Sequence, residues 1–261
     1  MRLRVLSAPP SGVAPDPAIA EVVWRSDDGA VAAYGSSSGA EHRMRMPGLA
    51  TFSWRDGGDE VLAEPVDAGP EEIEDAYRRC VLPMALHTRG LQVLHASAVR
   101  GPRGVIALCA RSGTGKSTLA YGLSRRPDHE LYADDAVAFD ASGPGVTAVP
   151  LPFTLHLRPA SAEHFGAVAA RAPADGERAP LAAVVVMERG PELVARRLTA
   201  AEAFTAALQH AYCFDLEARP RRRETAERYL ELTARVPVHE LRFPAGFERV
   251  GEILDLLEGL G

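Results

Sequence analysis

The sequence Gly104-Val105-Ile106-Ala107-Leu108-Cys109 runs directly into Ala110-Arg111-Ser112-Gly113-Thr114-Gly115-Lys116-Ser117, and Thr118-Leu119-Ala120-Tyr121-Gly122-Leu123 follows. A short apolar run bounded by turn residues is typical of a buried parallel strand. Leu119 and Leu123 are four positions apart, which predicts a helix that packs one face on a sheet. A strand, a glycine-rich loop and a helix in this order predict an α/β fold.

The loop between this strand and helix has the spacing of a phosphate-binding loop, with Ala110 in place of its usual first glycine. Gly113 and Gly115 permit backbone angles that aim successive N–H groups into one anion-binding concavity. Lys116 is the only lysine in the chain; it suits the β- and γ-phosphates, and the Ser117 hydroxyl suits Mg²⁺. The predicted nucleotide-binding residues are Ser112, Gly113, Thr114, Gly115, Lys116, Ser117 and Thr118. Both ATP and GTP fit this pattern.

A pair of acidic residues, Asp134 and Asp135, interrupts an apolar stretch over 130–139. Two carboxylates in such a stretch are costly unless a cation or a proton-transfer role compensates them. Neighbouring side chains of a strand face opposite sides. We therefore expect one carboxylate to bind Mg²⁺ and the other to accept a proton from an incoming hydroxyl. An ordinary turn between two short strands is the alternative interpretation.

A single histidine, His95, lies in the apolar run 91–99, which is predicted to be a strand. The short turn over 100–103 would pair this strand with the strand that precedes the loop. A lone histidine in such a run is commonly a hydrogen-bonded core residue. Its predicted position beside the loop also makes it a candidate for the site.

The three segments His95-Ala-Ser-Ala-Val, Ser112-Gly-Thr-Gly-Lys-Ser-Thr-Leu-Ala and Ala133-Asp-Asp-Ala-Val, in this order, resemble the HPr kinase/phosphorylase superfamily of bacterial serine kinases. The resemblance covers about residues 90–140 and implies a P-loop core of the phosphoenolpyruvate-carboxykinase type, with a mixed sheet and flanking helices. It implies a catalytic set of Asp134, Asp135, His95 and Lys116. We take Asp134 as the base, and Ser117 with Asp135 as the metal ligands.

The chain looks most similar to the short HPr-kinase-like proteins of lasso-peptide and other ribosomal peptide clusters. This resemblance implies an ATP-dependent serine kinase that phosphorylates a precursor peptide. An HPr-type protein kinase, a small-molecule kinase and a nucleotide-binding switch or assembly ATPase remain alternatives. The implied partner is a peptide or protein that carries the acceptor serine, and a homo-oligomer remains open.

Composition narrows the classes of partner. The formal net charge of −6 argues against nucleic acid, which needs a basic face. The sequence has no apolar run long enough to predict a membrane span. The apolar stretch at the N-terminus is too short to predict a signal peptide. Cys80, Cys109 and Cys213 are scattered, as in a protein with reduced thiols. We therefore expect a cytoplasmic protein.

The remaining chain suggests a small β-rich N-terminal module over 1–66 and a P-loop kinase domain over 67–261. A helix is predicted over 70–89, with Pro83 as a weak point. Residues 149–159 read as a half-exposed strand followed by a loop. Arg111 and Arg158 are candidate phosphate or substrate contacts, with solvated arginines as the alternative. The arginine-rich 219–223 is either a solvated helix start or a dock for an acidic peptide.

Overall fold

The structure, a computed structural model, describes residues 1–6, 22–25, 29–166, 171–172, 176–212 and 219–260, with only the backbone given for 171–172 and 219–222. The chain divides into two compact units. The first comprises Met1–Leu91 and Cys213–Arg222, and the second Gln92–Tyr212 and Arg223–Gly261. The helical segment after residue 70 thus belongs to the first unit, whereas the sequence grouped it with the second. The predicted domain boundary at 66–67 stays a prediction.

The described strands of the first unit form one sheet in the order β1-β6-β5-β4-β3-β2. They are β1 Arg2–Val5, β2 Val22–Arg25, β3 Val31–Ser38, β4 Glu41–Met46, β5 Ala50–Arg55 and β6 Glu60–Pro65. Neighbouring strands are antiparallel, except that β1 and β6 are parallel. The strand β4 was not predicted because charged residues dominate it, although alternation buries His42 and Met44.

The predicted helix over 70–89 is present but is not uniform. It consists of α1 Pro70–Ala76, a π-helical turn Tyr77–Val81 and α2 Leu82–His87. The N–H of Leu82 donates to the carbonyl of Tyr77, five residues back. A widened turn directly before Pro83 accommodates a residue that has no N–H to donate.

The second unit contains a nine-stranded sheet, in which seven strands follow the order β10-β8-β9-β15-β12-β11-β7, β17 pairs with β15, and β16 pairs with β17. Its strands are β7 Gln92–Leu94, β8 Ala96–Gly101, β9 Gly104–Cys109, β10 Glu130–Ala133, β11 Val137–Asp140, β12 Thr147–Val149, β15 Ala179–Arg189, β16 Val194–Arg197 and β17 Val238–Phe243. A separate pair is β13 Phe153–Thr154 and β14 Arg171–Ala172. The remaining helices are α3 Lys116–Ser124, α4 Pro159–Phe165, α5 Ala200–Leu208, α6 Arg219–Arg235 and α7 Val250–Leu260.

Helices cover both faces of this sheet around the parallel strands β9, β15 and β17. In β15, Val184 and Val186 belong to one buried cluster, while Val185 and Met187 belong to another. This alternation follows from the period of two in a strand. The first cluster includes residues of α5 and α6, and the second includes Leu119 and Leu123 of α3 with residues of α7. The mixed α/β architecture and the packing of α3 are confirmed.

Two predicted strands are each broken where the site residues lie. The run 91–99 divides into β7 and β8 at His95, and the run 130–139 divides into β10 and β11 at Asp134–Asp135. The strands β8 and β10 pair with each other, as do β7 and β11. The two runs therefore form an antiparallel ribbon whose halves lie at opposite ends of the sheet path. The acidic pair lies in a bend, so the expectation based on strand alternation is wrong.

Residues 149–159 also differ from the predicted single strand. Val149 ends β12, Phe153–Thr154 forms the short strand β13, and Pro159 starts the short helix α4. The alternation reflects burial rather than extended pairing, since Phe153 and Leu155 are buried and His156 is exposed. A proline at the first helical position favours this start.

The helix α6 contains the arginine-rich segment. The side chains of 219–222 lie outside the described residues, and Arg223 donates to Glu227 one turn along the helix. The docking interpretation of this segment stays a prediction. Among the helices that the structure describes, none combines the length and the apolar character needed to cross a membrane.

Candidate active site

The glycine-rich loop joins the carboxyl end of β9 to the first residue of α3. Gly113 has φ 81° and Gly115 has φ 122°, angles that residues with a Cβ rarely adopt. The N–H of Leu119 donates to the carbonyl of Gly115 at 2.9 Å, which closes the first helical turn. The first N–H groups of a helix have no partner within it, and the helix dipole adds positive potential. The loop therefore provides an anion-binding end of α3.

At the start of α3, Ser117 contacts the acidic pair. Its hydroxyl donates to Oδ1 of Asp134 at 2.8 Å. From the family resemblance we paired Ser117 with Asp135, an assignment that no feature of the sequence fixed. Asp134 is thus the carboxylate beside the serine of the loop.

Asp134 is a buried carboxylate held by hydrogen bonds from three donors. In addition to Ser117, Ser97 donates to Oδ1 at 2.6 Å, and the backbone N–H of His156 donates to Oδ2 at 3.3 Å. The residue is 5% exposed. Burial raises its pKa and the neighbouring charge of Asp135 adds to this, while the donors oppose both. A cation would compensate the buried charge.

The lysine of the loop is buried as well, with 6% of its surface exposed. Its ammonium donates to the carbonyl of Ala110 at 3.0 Å and to Nε2 of His95 at 3.1 Å. Burial lowers its pKa, and the charges of Asp135, Cys109 and Asp134 act in the opposite direction. Lys116 and His95, which are 21 positions apart in the chain, are therefore in direct contact.

The contact with Lys116 indicates which ring nitrogen of His95 carries the proton. An ammonium group has no acceptor, so Nε2 of His95 accepts and the ring is neutral with its proton on Nδ1. Nδ1 lies 3.0 Å from the carbonyl oxygen of Asp135 and 3.2 Å from the hydroxyl of Tyr212. The histidine therefore ties the lysine to the backbone of the acidic pair.

Asp135 differs from Asp134 in exposure and in backbone. It is half-buried, and its φ of 64° lies in the left-handed region, which aspartate tolerates better than most residues. Its charge raises the pKa of both Lys116 and Asp134. Asp135 is therefore the more accessible of the two carboxylates.

Two arginines lie against the loop glycines. A Cβ placed on Gly113 would lie 2.9 Å from Nη2 of Arg158, and one placed on Gly115 would lie 3.4 Å from Nη2 of Arg189. Arg189 donates to the carbonyl of Pro244 at 2.7 Å and lies over the ring of Phe243, 4.4 Å from its centroid. A guanidinium group therefore lies beside each of these two glycines of the anion-binding loop.

The remaining predicted contact, Arg111, is exposed, and its charge is one of those that lower the pKa of His210. His210 itself has its pKa lowered to about 4, mainly by burial and then by electrostatic interaction with the side chains of His95, Lys116 and Arg111. Its carbonyl accepts from the N–H of His95 at 2.7 Å.

Four residues of this site were missed by the sequence analysis: Ser97, Arg189, His210 and Tyr212. Ser97 is two residues from His95, and Arg189 is the last residue of a strand that is parallel to β9. Both positions could therefore have been predicted from the sequence. The carboxyl ends of parallel strands commonly line ligand sites. His210 and Tyr212 follow α5, and no local pattern marks them.

The divalent ion expected from the sequence fits the donors present. A serine hydroxyl and a buried carboxylate, Ser117 and Asp134, supply the oxygen ligands that Mg²⁺ prefers. Among the described residues, no group of three or more His, Cys, Asp or Glu side chains is arranged to hold a metal. An ion here would thus complete its coordination with phosphate oxygens and water.

Comparisons with known proteins give a distant likeness in structure and none in sequence. The sequence matches no protein-family model. No curated protein matches it either. The structure is similar to that of the HPr(Ser) kinase/phosphatase from Coxiella burnetii, with 13% sequence identity and a TM-score of 0.36, over 65% of this chain and 93% of that chain. A likeness this distant leaves the function to be argued from the site.

Proposed function

We propose that this chain is a nucleoside triphosphate-dependent phosphotransferase that acts on a serine hydroxyl of a peptide or protein. The observation that carries the proposal is the hydrogen bond from Ser117 to the buried Asp134, at the foot of a glycine-rich loop that also presents Lys116. A loop that binds phosphates needs a metal-binding hydroxyl and an acidic partner within reach of each other. Both are present here.

In this proposal, the loop and Lys116 hold the triphosphate, while Ser117 and Asp134 hold Mg²⁺. The ion, when bound, neutralises charge on the β- and γ-phosphates. Lys116 would exchange its contact with the carbonyl of Ala110 for phosphate oxygens, which gain more from a full positive charge. The burial of Asp134 keeps this carboxylate close to the loop.

Asp135 is the proposed general base, which reverses the roles that the sequence analysis favoured. It is the less buried carboxylate, and its backbone carbonyl lies 3.0 Å from Nδ1 of His95. The acceptor hydroxyl gives its proton to Asp135 as the oxygen–phosphorus bond forms. The bond between the γ-phosphorus and the bridging oxygen breaks, and the nucleoside diphosphate leaves.

Arg158 and Arg189 are proposed to stabilise charge on the transferred phosphoryl group. Their guanidinium groups lie against Gly113 and Gly115. Charge that is positioned before the reaction lowers the barrier without reorganisation cost.

The proposed acceptor is a serine of a ribosomal precursor peptide. The resemblance in sequence favours a ribosomal precursor peptide, such as a lasso-peptide precursor, over HPr or a metabolite. A slow nucleotide-hydrolysing switch is disfavoured by the half-buried Asp135 beside the loop, because such a protein needs no base for an acceptor.

The test is a transfer assay with Mg-ATP and Mg-GTP against three acceptors: precursor peptides encoded near this gene, HPr and free serine. Mass spectrometry of each acceptor reads the addition of one phosphoryl group. We expect phosphorylation of a peptide serine, and replacement of that serine by alanine should abolish it. Nucleotide hydrolysis without any phosphorylated acceptor would contradict the proposal.

A further inference from the structure

Beside the phosphate loop lies an aromatic cluster that the proposed chemistry does not use. The rings of His164 and Phe247 are stacked, with centroids 4.3 Å apart and planes at 17°. Phe165 meets His164 edge-on at 4.8 Å and Tyr121 edge-on at 5.8 Å. His164 is exposed and the other three rings are partly exposed. The His164–Phe247 stack is therefore accessible to a ligand that binds at the phosphate loop.

The helix α4 places this cluster next to α3. The hydroxyls of Thr118 and Ser161 are 2.8 Å apart, and one turn further along the two helices Tyr121 contacts Phe165. A Cβ on Gly122 would lie 2.7 Å from Cζ of Phe165, so the glycine admits this ring into the surface of α3. Phe165 thus anchors α4, and His164 lies beside the anchor on the same short helix.

The segment after β17 also contacts this cluster. Arg189, which lies against Gly115, donates to the carbonyl of Pro244, and three residues later Phe247 stacks on His164. A continuous set of contacts therefore runs from Gly115 through this segment to α4 and back to Thr118. It borders the Thr118 side of the phosphate loop.

We propose that His164 and Phe247 form the binding site for the purine base of the nucleotide, which extends their stack. This inference rests on the proposed function. In a phosphate loop, the backbone at the start of the helix holds the α- and β-phosphates, so the nucleoside leaves the loop close to Thr118. The His164–Phe247 stack lies one helical turn from there, and any base presents a flat face to an aromatic ring.

Stacking predicts a particular specificity. It recognises the flat face of a base rather than the hydrogen-bonding pattern on its edge. We therefore expect ATP and GTP to bind with similar affinity and to depend on the same two rings. The affinity for tripolyphosphate, which has the phosphates but no base, should not depend on these two rings.

The experiment measures binding of Mg-ATP, Mg-GTP and Mg-tripolyphosphate to the full chain by calorimetry. Phe247→Ala and His164→Ala should each weaken both nucleotides about tenfold, the size expected from loss of one stacking contact, and leave tripolyphosphate within about twofold. Phe247→Tyr should retain wild-type affinity, and Leu256→Ala, which changes an exposed side chain of α7, is the matched control. Unchanged nucleotide affinity in both alanine variants overturns the inference, as does equal weakening of all three ligands.

A second variant covers the case in which an alanine variant does not fold. Phe247→Trp places a fluorophore in the stack, and its emission should change on addition of ATP or GTP but not of tripolyphosphate. An identical response to tripolyphosphate would contradict base stacking. Absence of binding by all three ligands to the wild-type chain would instead remove the proposed function itself, so the two failures are distinguishable.

Discussion

The hydroxyl of Ser117 donates to Asp134 at 2.8 Å, and Asp134 is 5% exposed while its neighbour Asp135 is half-buried. Adjacent residues of one chemical type thus occupy different environments. The difference arises because the bend at this point buries one carboxylate against the start of α3. It provides a basis for assigning separate roles to the two acids.

The first prediction separates these roles. Asp134→Asn should weaken Mg²⁺-dependent nucleotide binding, because the buried metal ligand loses its charge. Asp135→Asn should bind Mg-ATP normally and lower the rate of transfer by about 10²–10⁴, the usual contribution of a general base. Calorimetry and the transfer assay measure the two effects. The reverse pattern would restore the assignment made from sequence.

The second prediction concerns the single lysine. Lys116→Arg should bind Mg-ATP at least about tenfold more weakly, since a charge-assisted contact is worth about 1.5–3 kcal/mol and a planar guanidinium does not reproduce the contacts of an ammonium. Arg103→Lys is the control, because Arg103 is an exposed residue that donates to the carbonyl of Gly259. Normal affinity in the Lys116 variant would argue against a phosphate contact.

The third prediction concerns the loop glycines. Gly113→Ala and Gly115→Ala should each cost about 1–3 kcal/mol of stability, the usual cost of forcing a side chain into positive φ, and both should lose nucleotide binding. In Gly251→Ala, a Cβ would meet nothing within 4 Å, and stability should rise by about 0.5–1 kcal/mol because the position is helical. Urea unfolding compares the three variants, and a stable, nucleotide-binding Gly115→Ala would be incompatible with the described loop.

The fourth prediction concerns an arginine found only in the structure. Arg189→Gln should lower transfer by about 10²–10³, the loss typical of one charge-stabilising donor, with a smaller effect on ATP binding. Arg242→Gln, at an exposed position of β17, should be close to wild type. Comparison of kcat and KM for the two variants checks this, and equal activities would remove Arg189 from the site.

The fifth prediction is a pH dependence from His210, whose pKa falls from 6.5 to about 4 in the folded chain. The unfolded chain therefore takes up the proton first as the pH falls. The contribution to stability is complete above pH 6.5, is lost progressively towards about pH 4, and changes no further below that. His210→Gln should flatten this part of the profile in urea unfolding at pH 7, 5.5 and 4.5, whereas a profile that matches the wild type would show that the folded pKa is not depressed.

The sequence predicted the local elements well. The strand Gly104–Cys109 and the helix that begins at Lys116 are both present, since turn residues, periodicity and the glycine loop all act within a few residues. Leu119 and Leu123 pack as expected. These features depend on residues that are close together in the chain, so they can be predicted from the sequence.

The features that the sequence did not predict depend on pairing between distant segments. The two runs pair with each other on both sides of the breaks, but the ribbon lies beside β9 on one side of the breaks and beside β12 on the other. An apolar run carries no mark of such a change. Likewise, nothing around His210 or Tyr212 indicates that the end of α5 lies next to His95.

The double break in the ribbon of 92–101 and 130–140 restricts how this protein can vary. Because side chains alternate along a strand, a single inserted or deleted residue in either run would exchange inward and outward positions up to the break. It would also carry His95 away from the acid pair or the acid pair away from Ser117. Length variation among proteins of this kind should therefore fall in the loops that join the strands, and both runs should keep a constant number of residues.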